Sequence, residues 1–182
     1  VNYRILRFSN FIDSLLSLFI LYFAQIVMTE FFLGIWGKLF IQNVILLNLV
    51  IFLAIWSLTR NKESSFCFKF TKEQLSQLIG NKIILFAAAI ILAFASAKII
   101  INLVNPPFGW DNLNYHFTFP VEWLKHGNLE NPITISDDFS PTYYPINGSL
   151  FFLWFIFPFK SVFLADLGQM PFFLLAFLST YN

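Results

Sequence analysis

Long uncharged runs constrain this chain more than anything else in it. From Phe11 to Trp36 only Asp13 and Glu30 carry charge, and both lie towards the ends of the run. From Leu39 to Leu58 there is no charged residue, and from Ile83 to Val104 there is one, Lys98. About 20 apolar residues cross the hydrocarbon core of a bilayer as a helix. Inside lipid the backbone must satisfy its own hydrogen bonds, which leaves the helix as the economical solution for such a run. Composition agrees. The chain is 58% hydrophobic and 12% charged, with mean hydropathy +0.70, whereas a soluble domain carries roughly a quarter charged residues. The expected fold is an all-α polytopic transmembrane bundle. Its spans are predicted at about 11–33, 39–59, 83–104, 145–158 and 161–182. The fourth is short, with Pro145 in its first turn. The chain begins at Val1 and ends at Asn182 inside an apolar run, and it reads as the N-terminal part of a longer protein.

Polar residues inside the runs have modest expected roles. Gln42, Asn43 and Asn48 suit hydrogen bonds between helices. Gly34 and Gly37 mark the turn between the first two spans. Lys98 either snorkels to the nearer interface or lines a polar cavity. Asp166 and Gln169 fall in the first turns of the fifth span, close enough to an end to reach the surface.

Lysine and arginine placement sets an orientation. The 60–82 loop holds five of them and Val1–Asn10 holds Arg4 and Arg7, so both are expected in the cytoplasm, with the Pro158–Lys160 turn. Within 60–82, Thr71 and Gln74 look like a capping box opening a short surface helix. The 105–147 loop then falls outside, in the periplasm. It has one lysine, Lys125, and five of the ten acids, Asp111, Glu122, Glu130, Asp137 and Asp138. It also holds both histidines.

That loop carries the chemistry. Asn105-Pro106-Pro107 ends the third span, and Trp110 is an interface anchor. Asn112–His126 reads as a helix lying on the membrane surface, kinked at Pro120 and stopped by Gly127. Asp111 is either the N-cap of that helix or a functional carboxylate at the membrane boundary, with Tyr115 and His116 one turn on. Asp137 and Asp138 are either a solvated turn or groups that orient an acceptor or bind a cation. Tyr143-Tyr144-Pro145 is held extended by the proline, and its rings suit a sugar or lipid site, or an aromatic belt. Asn147-Gly148-Ser149 matches a glycosylation sequon by chance beside the membrane. Two histidines about ten residues apart among acids are a weak signal for a divalent metal, and no cofactor is indicated. Net charge +1 and the absence of a basic run point away from nucleic acid. Cys67 stands alone, so no internal disulfide forms.

The order Trp110-Asp111, Tyr115-His116, Trp123-Leu124, Gly127 and Tyr144-Pro145 resembles the bacterial polytopic glycosyltransferases of the GT-C superfamily. These are similar to the protein O-mannosyltransferases and the lipid A aminoarabinose transferases. The resemblance covers about Asn105 to Gly148. It implies transfer of a sugar from a polyprenyl-phosphate carrier to a glycan, lipid or protein acceptor outside the bacterial cytoplasmic membrane. It makes Asp111 the general base and places Asn112, Tyr115, His116, Asp137, Asp138 and Tyr144 around the substrates. It also implies a cation near the lipid phosphate, for which Lys98 and Lys125 are the candidates here. Many relatives carry a second acid directly after the first, where this chain has Asn112. Two spans precede the helix that bears the loop, where the simplest relatives have one. The competing readings are a transporter or flippase subunit for a lipid-linked saccharide, and a membrane scaffold without catalysis.

Overall fold

The computed structural model describes residues 11–61, 72–105, 107, 109–132 and 140–181, and every regular element among them is helical. The helices are α1 (Phe11–Ile35), α2 (Ile41–Thr59), α3 (Lys72–Gly80), α4 (Lys82–Val104), α5 (Thr118–His126), α6 (Asn147–Ile156) and α7 (Met170–Tyr181). A π-helical turn spans Asn112–His116, and 3-10 turns span Ser140–Tyr143 and Ala165–Gln169. Three helices are long and apolar enough to cross a membrane: α1, α2 and α4. The proposed capping residue Thr71 lies outside the described residues, although the helix it was to open is present as α3.

Two of the three long helices, α2 and α4, bury little against protein. Val44 is the one buried residue of α2, and Asn102 the one buried residue of α4. A helix apolar all round and bare of protein neighbours is suited to lipid. Where α1 and α2 do meet, Asn48 Oδ1 accepts from Gln25 Nε2 at 3.1 Å, the interhelical bond expected of it. Asn43 instead turns back to its own chain and donates to the Lys38 carbonyl. At the start of α4, Asn81 Oδ1 accepts from the Ile83 and Ile84 backbone N–H groups, a full N-cap.

The packed core lies at the end of the bundle that carries the loop. Trp123, Phe119, Leu150, Leu153 and Phe157 bury together with Val27 and Leu33 of α1 and Leu39 and Val44 at and beyond the first turn. Two backbone bonds lock this layer down. Leu39 N–H donates to the Gly127 carbonyl at 2.8 Å, and Leu129 N–H donates to the Gly34 carbonyl at 3.3 Å. Gly37 makes the expected turn with φ +64°, but Gly34 is a helical residue whose missing Cβ leaves room for Leu129. Gly127 stops α5 in the left-handed region at φ +69°, as its position predicts. The Phe40 ring fills the space where a side chain at Gly127 would stand.

The stretch 145–158 behaves differently from a span. Its helix, α6, has ten residues, about 15 Å of length against the ~30 Å of a hydrocarbon core. Protein covers it: Phe151 meets Phe23 of α1 and Phe172 of α7, and Leu150, Leu153 and Ile156 are fully buried. Pro145 stands before the helix rather than in its first turn. Beyond α6 the chain returns to the loop. Val162 lines a crevice with Pro107, Asn112 and Phe117, and Asp166 reaches Asn112. The Pro158–Lys160 turn therefore lies at the same end as the 105–132 segment, not at the opposite end as the span count requires. From there α7 runs antiparallel to α4, with Asp166 level with Lys98 and Phe173 level with Phe94.

Glu30 is a misfit in the core. It is completely buried in α1, and neither carboxyl oxygen has a hydrogen-bond partner. α2, α6 and the described α7 residues offer no charged side chain to it. Replacing an unsatisfied buried polar group by an apolar one of similar size is neutral or stabilising. Glu30→Leu is expected to raise the melting temperature in detergent by a few degrees, equivalent to roughly 1–2 kcal/mol. A fall of several degrees would show that Glu30 has a partner that the described residues do not include.

Candidate functional site

The site is built on the irregular turn between Trp110 and α5. Pro120 is the cause of its shape. A proline has no N–H to give the His116 carbonyl, so one regular helix cannot run from Asn112 to His126. The sequence places the kink at Pro120 itself. In the structure the break falls three residues earlier, at Phe117. Pro120 then occupies the third position of α5, where the backbone N–H has no helical partner to lose. Upstream the chain closes a wider turn: Phe117 N–H donates to the Asn112 carbonyl at 3.0 Å, the five-residue step of a π-helix. Thr118 Oγ1 bonds the Leu113 carbonyl and helps hold the junction. Such turns recur at functional sites because they aim side chains that a regular helix would space apart.

Asp111 is exposed and already helical, at φ −64° and ψ −35°, and its side chain makes no capping hydrogen bond. The capping role is thus not played. An N-cap needs extended backbone to turn its side chain towards the following N–H groups, and Asp111 lacks it. Its charge acts instead on the two residues beyond it. The Tyr115 phenol is held above its usual range by burial, then by the Asp111 carboxylate and by Tyr144. His116 is held below its usual range by burial, and Asp111 partly offsets this. His116 is therefore a neutral imidazole near pH 7, and its Nδ1 is buried without a partner.

Tyr115, His116 and Tyr144 come together. The Tyr115 and His116 ring centres are 4.1 Å apart, and Tyr144 meets Tyr115 edge-on at 5.2 Å. Phe152 of α6 supports His116 from below, with ring centres 5.8 Å apart. So the loop residues predicted at 111, 115, 116 and 144 form one cluster, seated on a helix that the sequence reads as a span. Tyr143 points away into solvent. Asp137 and Asp138 lie outside the described residues.

Asn112 faces a different way. Its Nδ2 donates to Asp166 Oδ1 at 3.4 Å, and Asp166 Oδ2 lies 3.6 Å from Lys98 Nζ. This chain of three residues ties the π-turn to α4 and to the 3-10 turn that leads into α7. It corrects two expectations. Asp166 does not reach the surface but is buried, at 5% exposure. Lys98 does not simply snorkel; its ammonium turns to a carboxylate between helices. Asp166 was missed as a site residue because the contact with Asn112 joins positions 54 apart. The available signal was an acid and a lysine in two neighbouring apolar helices, which pair at low cost where either alone is expensive.

Lys125, the other candidate for a phosphate, is bound to Glu122 at 2.6 Å on the outer side of α5. Glu122 is pulled below its usual range by that hydrogen bond first, against an opposing effect of burial. Lys125 thus sits away from the cluster around His116. Among the described residues no three His, Cys, Asp or Glu side chains converge to hold a metal ion.

The arrangement can do acid–base chemistry on a hydroxyl group. It has an exposed carboxylate, a neutral imidazole and two phenols at the end of an apolar bundle, with a cation nearby. No protein-family model, curated protein or solved structure matches this chain.

Proposed function

We propose that the protein is an integral-membrane glycosyltransferase of GT-C type, working at the periplasmic face of the bacterial cytoplasmic membrane. It moves a sugar from polyprenyl phosphate to a hydroxyl of a glycan, lipid or protein acceptor. The observation that carries this reading is Asp111: a carboxylate free of any capping bond, on a π-turn beside the end of a lipid-suited helix.

In the proposed step the acceptor oxygen attacks the anomeric carbon while Asp111 takes its proton. The bond from that carbon to the phosphate oxygen breaks, and its electron pair leaves on the polyprenyl phosphate. The configuration inverts. Tyr115, His116 and Tyr144 form an aromatic and hydrogen-bonding wall for the sugar, and Asn112 orients the turn through Asp166. Lys98, tied to the turn through Asp166 and Asn112, is the cation that balances the phosphate charge. A protein working this way transfers sugar from a polyprenyl-phosphate donor and not from a nucleotide sugar. Transfer from the nucleotide sugar alone would refute it.

The proposed topology puts the N-terminus and the 60–82 loop in the cytoplasm, with the 105–132 segment and the Pro158–Lys160 turn on the outer side, α6 packed against the middle of α1, and α7 as a further span going in. Seven lysines and arginines then lie inside and four lie towards the outside, including Lys98 near the outer end of α4, so the bias still holds. A cysteine at Ser64 is expected to be shielded from an impermeant thiol reagent in intact cells. Cysteines at Asn131 and at Lys160 are expected to be labelled. Labelling at 64 with protection at 131 would reverse the orientation and put the loop on the wrong side for this donor.

One observation favours a transporter instead. An unpartnered carboxyl buried in a span, Glu30, is the kind of group that ion-coupled carriers use. Saccharide uptake or flipping that is abolished by Glu30→Gln and indifferent to Asp111→Asn would decide for that reading.

A further inference from the structure

We propose that the turn between α1 and α2 is the seat that aims the reacting carboxylate, with Gly34, Phe40 and Leu129 as positioning residues for Asp111. The inference rests on the transferase reading for what Asp111 does. The clamp, and its hold on the π-turn, are defined by their own geometry.

The strap 127–130 leaves the end of α5 and crosses the α1–α2 turn. It is fixed on both sides of that turn. On the α2 side, Leu39 N–H donates to the Gly127 carbonyl at 2.8 Å, and the Phe40 ring stands over Gly127. On the α1 side, Leu129 N–H donates to the Gly34 carbonyl at 3.3 Å, and the Leu129 side chain fills the notch left by Gly34. Each side chain enters a space that exists because the residue opposite is glycine. The strap is also tied back to its own helix. Trp123 Nε1 donates to the Glu130 carbonyl at 3.1 Å, and Glu130 N–H donates to Asn128 Oδ1 at 3.2 Å.

Burial alone does not require such a device. Apolar cores tolerate repacking when total volume is kept. Two main-chain bonds and two reciprocal notches fix register as well. Sliding the strap by one residue would break both bonds and drive both side chains against backbone. What they fix is the far end of α5, and the near end of α5 carries the reacting turn. Gly127 N–H donates to the Trp123 carbonyl at 2.7 Å, Val121 N–H to the Phe117 carbonyl at 3.1 Å and Phe117 N–H to the Asn112 carbonyl at 3.0 Å. With the bonds inside α5, these make one hydrogen-bonded rod from the strap to the π-turn. A displacement at one end is carried to the other. Side chains agree, because Tyr115 packs against the same core layer as Leu129, Leu39 and Trp123.

The turn is therefore held from two sides. Asn112, through Asp166, ties it to α4. The strap, through α5, ties it to the α1–α2 turn. Aim matters because a misplacement of about 1 Å at a reacting group can cost on the order of 100-fold in rate. The clamp meets that need from outside the reacting groups.

The test uses the full-length protein in nanodiscs and three variants: Gly34→Ala, Leu129→Ala and the double. Gly34 lies within a helix, where alanine is intrinsically favoured over glycine. The damage from Gly34→Ala is thus the push of its methyl group on Leu129. Leu129→Ala in the same chain removes what is pushed. Gly34→Ala is expected to lower kcat for sugar transfer roughly tenfold or more, with KM within about twofold. The double variant is expected to recover most of the rate. A second readout needs no activity. Spin labels on Leu113→Cys in the π-turn and Ile45→Cys on the exposed side of α2, in a Cys67→Ser background, report the distance across the clamp. It is expected to shift or broaden in Gly34→Ala and to return in the double. Should Gly34→Ala not fold, Phe40→Ala makes the same test by removing the other insert, with the same loss of kcat and a broadened distance expected. An unchanged distance and rate in the single variant, or a rate that follows melting temperature through the series instead of the distance, overturns the proposal. If the protein transfers no sugar, a distance that shifts in the single variant and returns in the double keeps the clamp and removes the enzyme.

Discussion

Asp111→Asn is expected to reduce sugar transfer by roughly 100-fold or more, the contribution of a positioned general base, with folding unchanged. The structure makes this substitution unusually clean. Asp111 is exposed and its side chain caps nothing, so Asn removes the basicity without removing a structural hydrogen bond. Asp137→Asn and Asp138→Asn control for the loss of negative charge outside the membrane. A second readout follows from the electrostatics. The Asp111 carboxylate stabilises the protonated form of His116 and the protonated form of Tyr115, raising both. Removing the charge must therefore lower both, and the His116 titration followed by NMR should move to lower pH in the variant. Full transfer activity in Asp111→Asn would sink the catalytic assignment and leave the transporter and scaffold readings ahead. An unmoved His116 titration would mean that the two side chains are not neighbours in solution.

What was legible in the sequence was what local chemistry decides. α1, α2 and α4 follow from apolar length alone, and Gly127 ends α5 because only glycine tolerates its φ of +69° without strain. α6 reads as a span in sequence for a physical reason. Its composition, NGSLFFLWFI, is as apolar as that of a lipid-facing helix, because burial in protein and burial in lipid ask for the same side chains. Length separates the two, and here only ten residues were helical. The kink misplaced at Pro120 is a matter of register: a proline is free in the first turn of a helix, so the helix restarts just upstream of it. Asp111 read as a cap because the residue type fits, but capping depends on backbone angles that the sequence does not display. The aromatic cluster of Tyr115, His116 and Tyr144 was gathered from the loop by motif, while its support, Phe152, was hidden in a supposed span. Asp166 was the largest omission, because nothing local ties it to Asn112.

Asp166 also gives the sharpest test of how the turn is held. Asp166→Ala leaves the Lys98 ammonium in apolar surroundings and the Asn112 amide without its acceptor. Breaking one side of a buried pair costs more than the pair itself contributes, here roughly 2–4 kcal/mol given that Lys98 is partly exposed. The melting temperature in detergent should fall accordingly, and transfer should fall with it. Lys98→Met combined with Asp166→Leu removes both charges and fills the space with apolar side chains. That double variant is expected to recover most of the lost stability, since an uncharged pair leaves no ion stranded. Transfer should stay low in it, because the Lys98 cation is gone, Asn112 no longer has a fixed partner and the neighbouring Asp111 is no longer aimed. Stability and activity thereby separate. If the double variant is as unstable as Asp166→Ala, the two side chains do not form a pair that matters. If it regains both stability and transfer, Asp166 serves packing alone and the turn that carries Asp111 is held by something else.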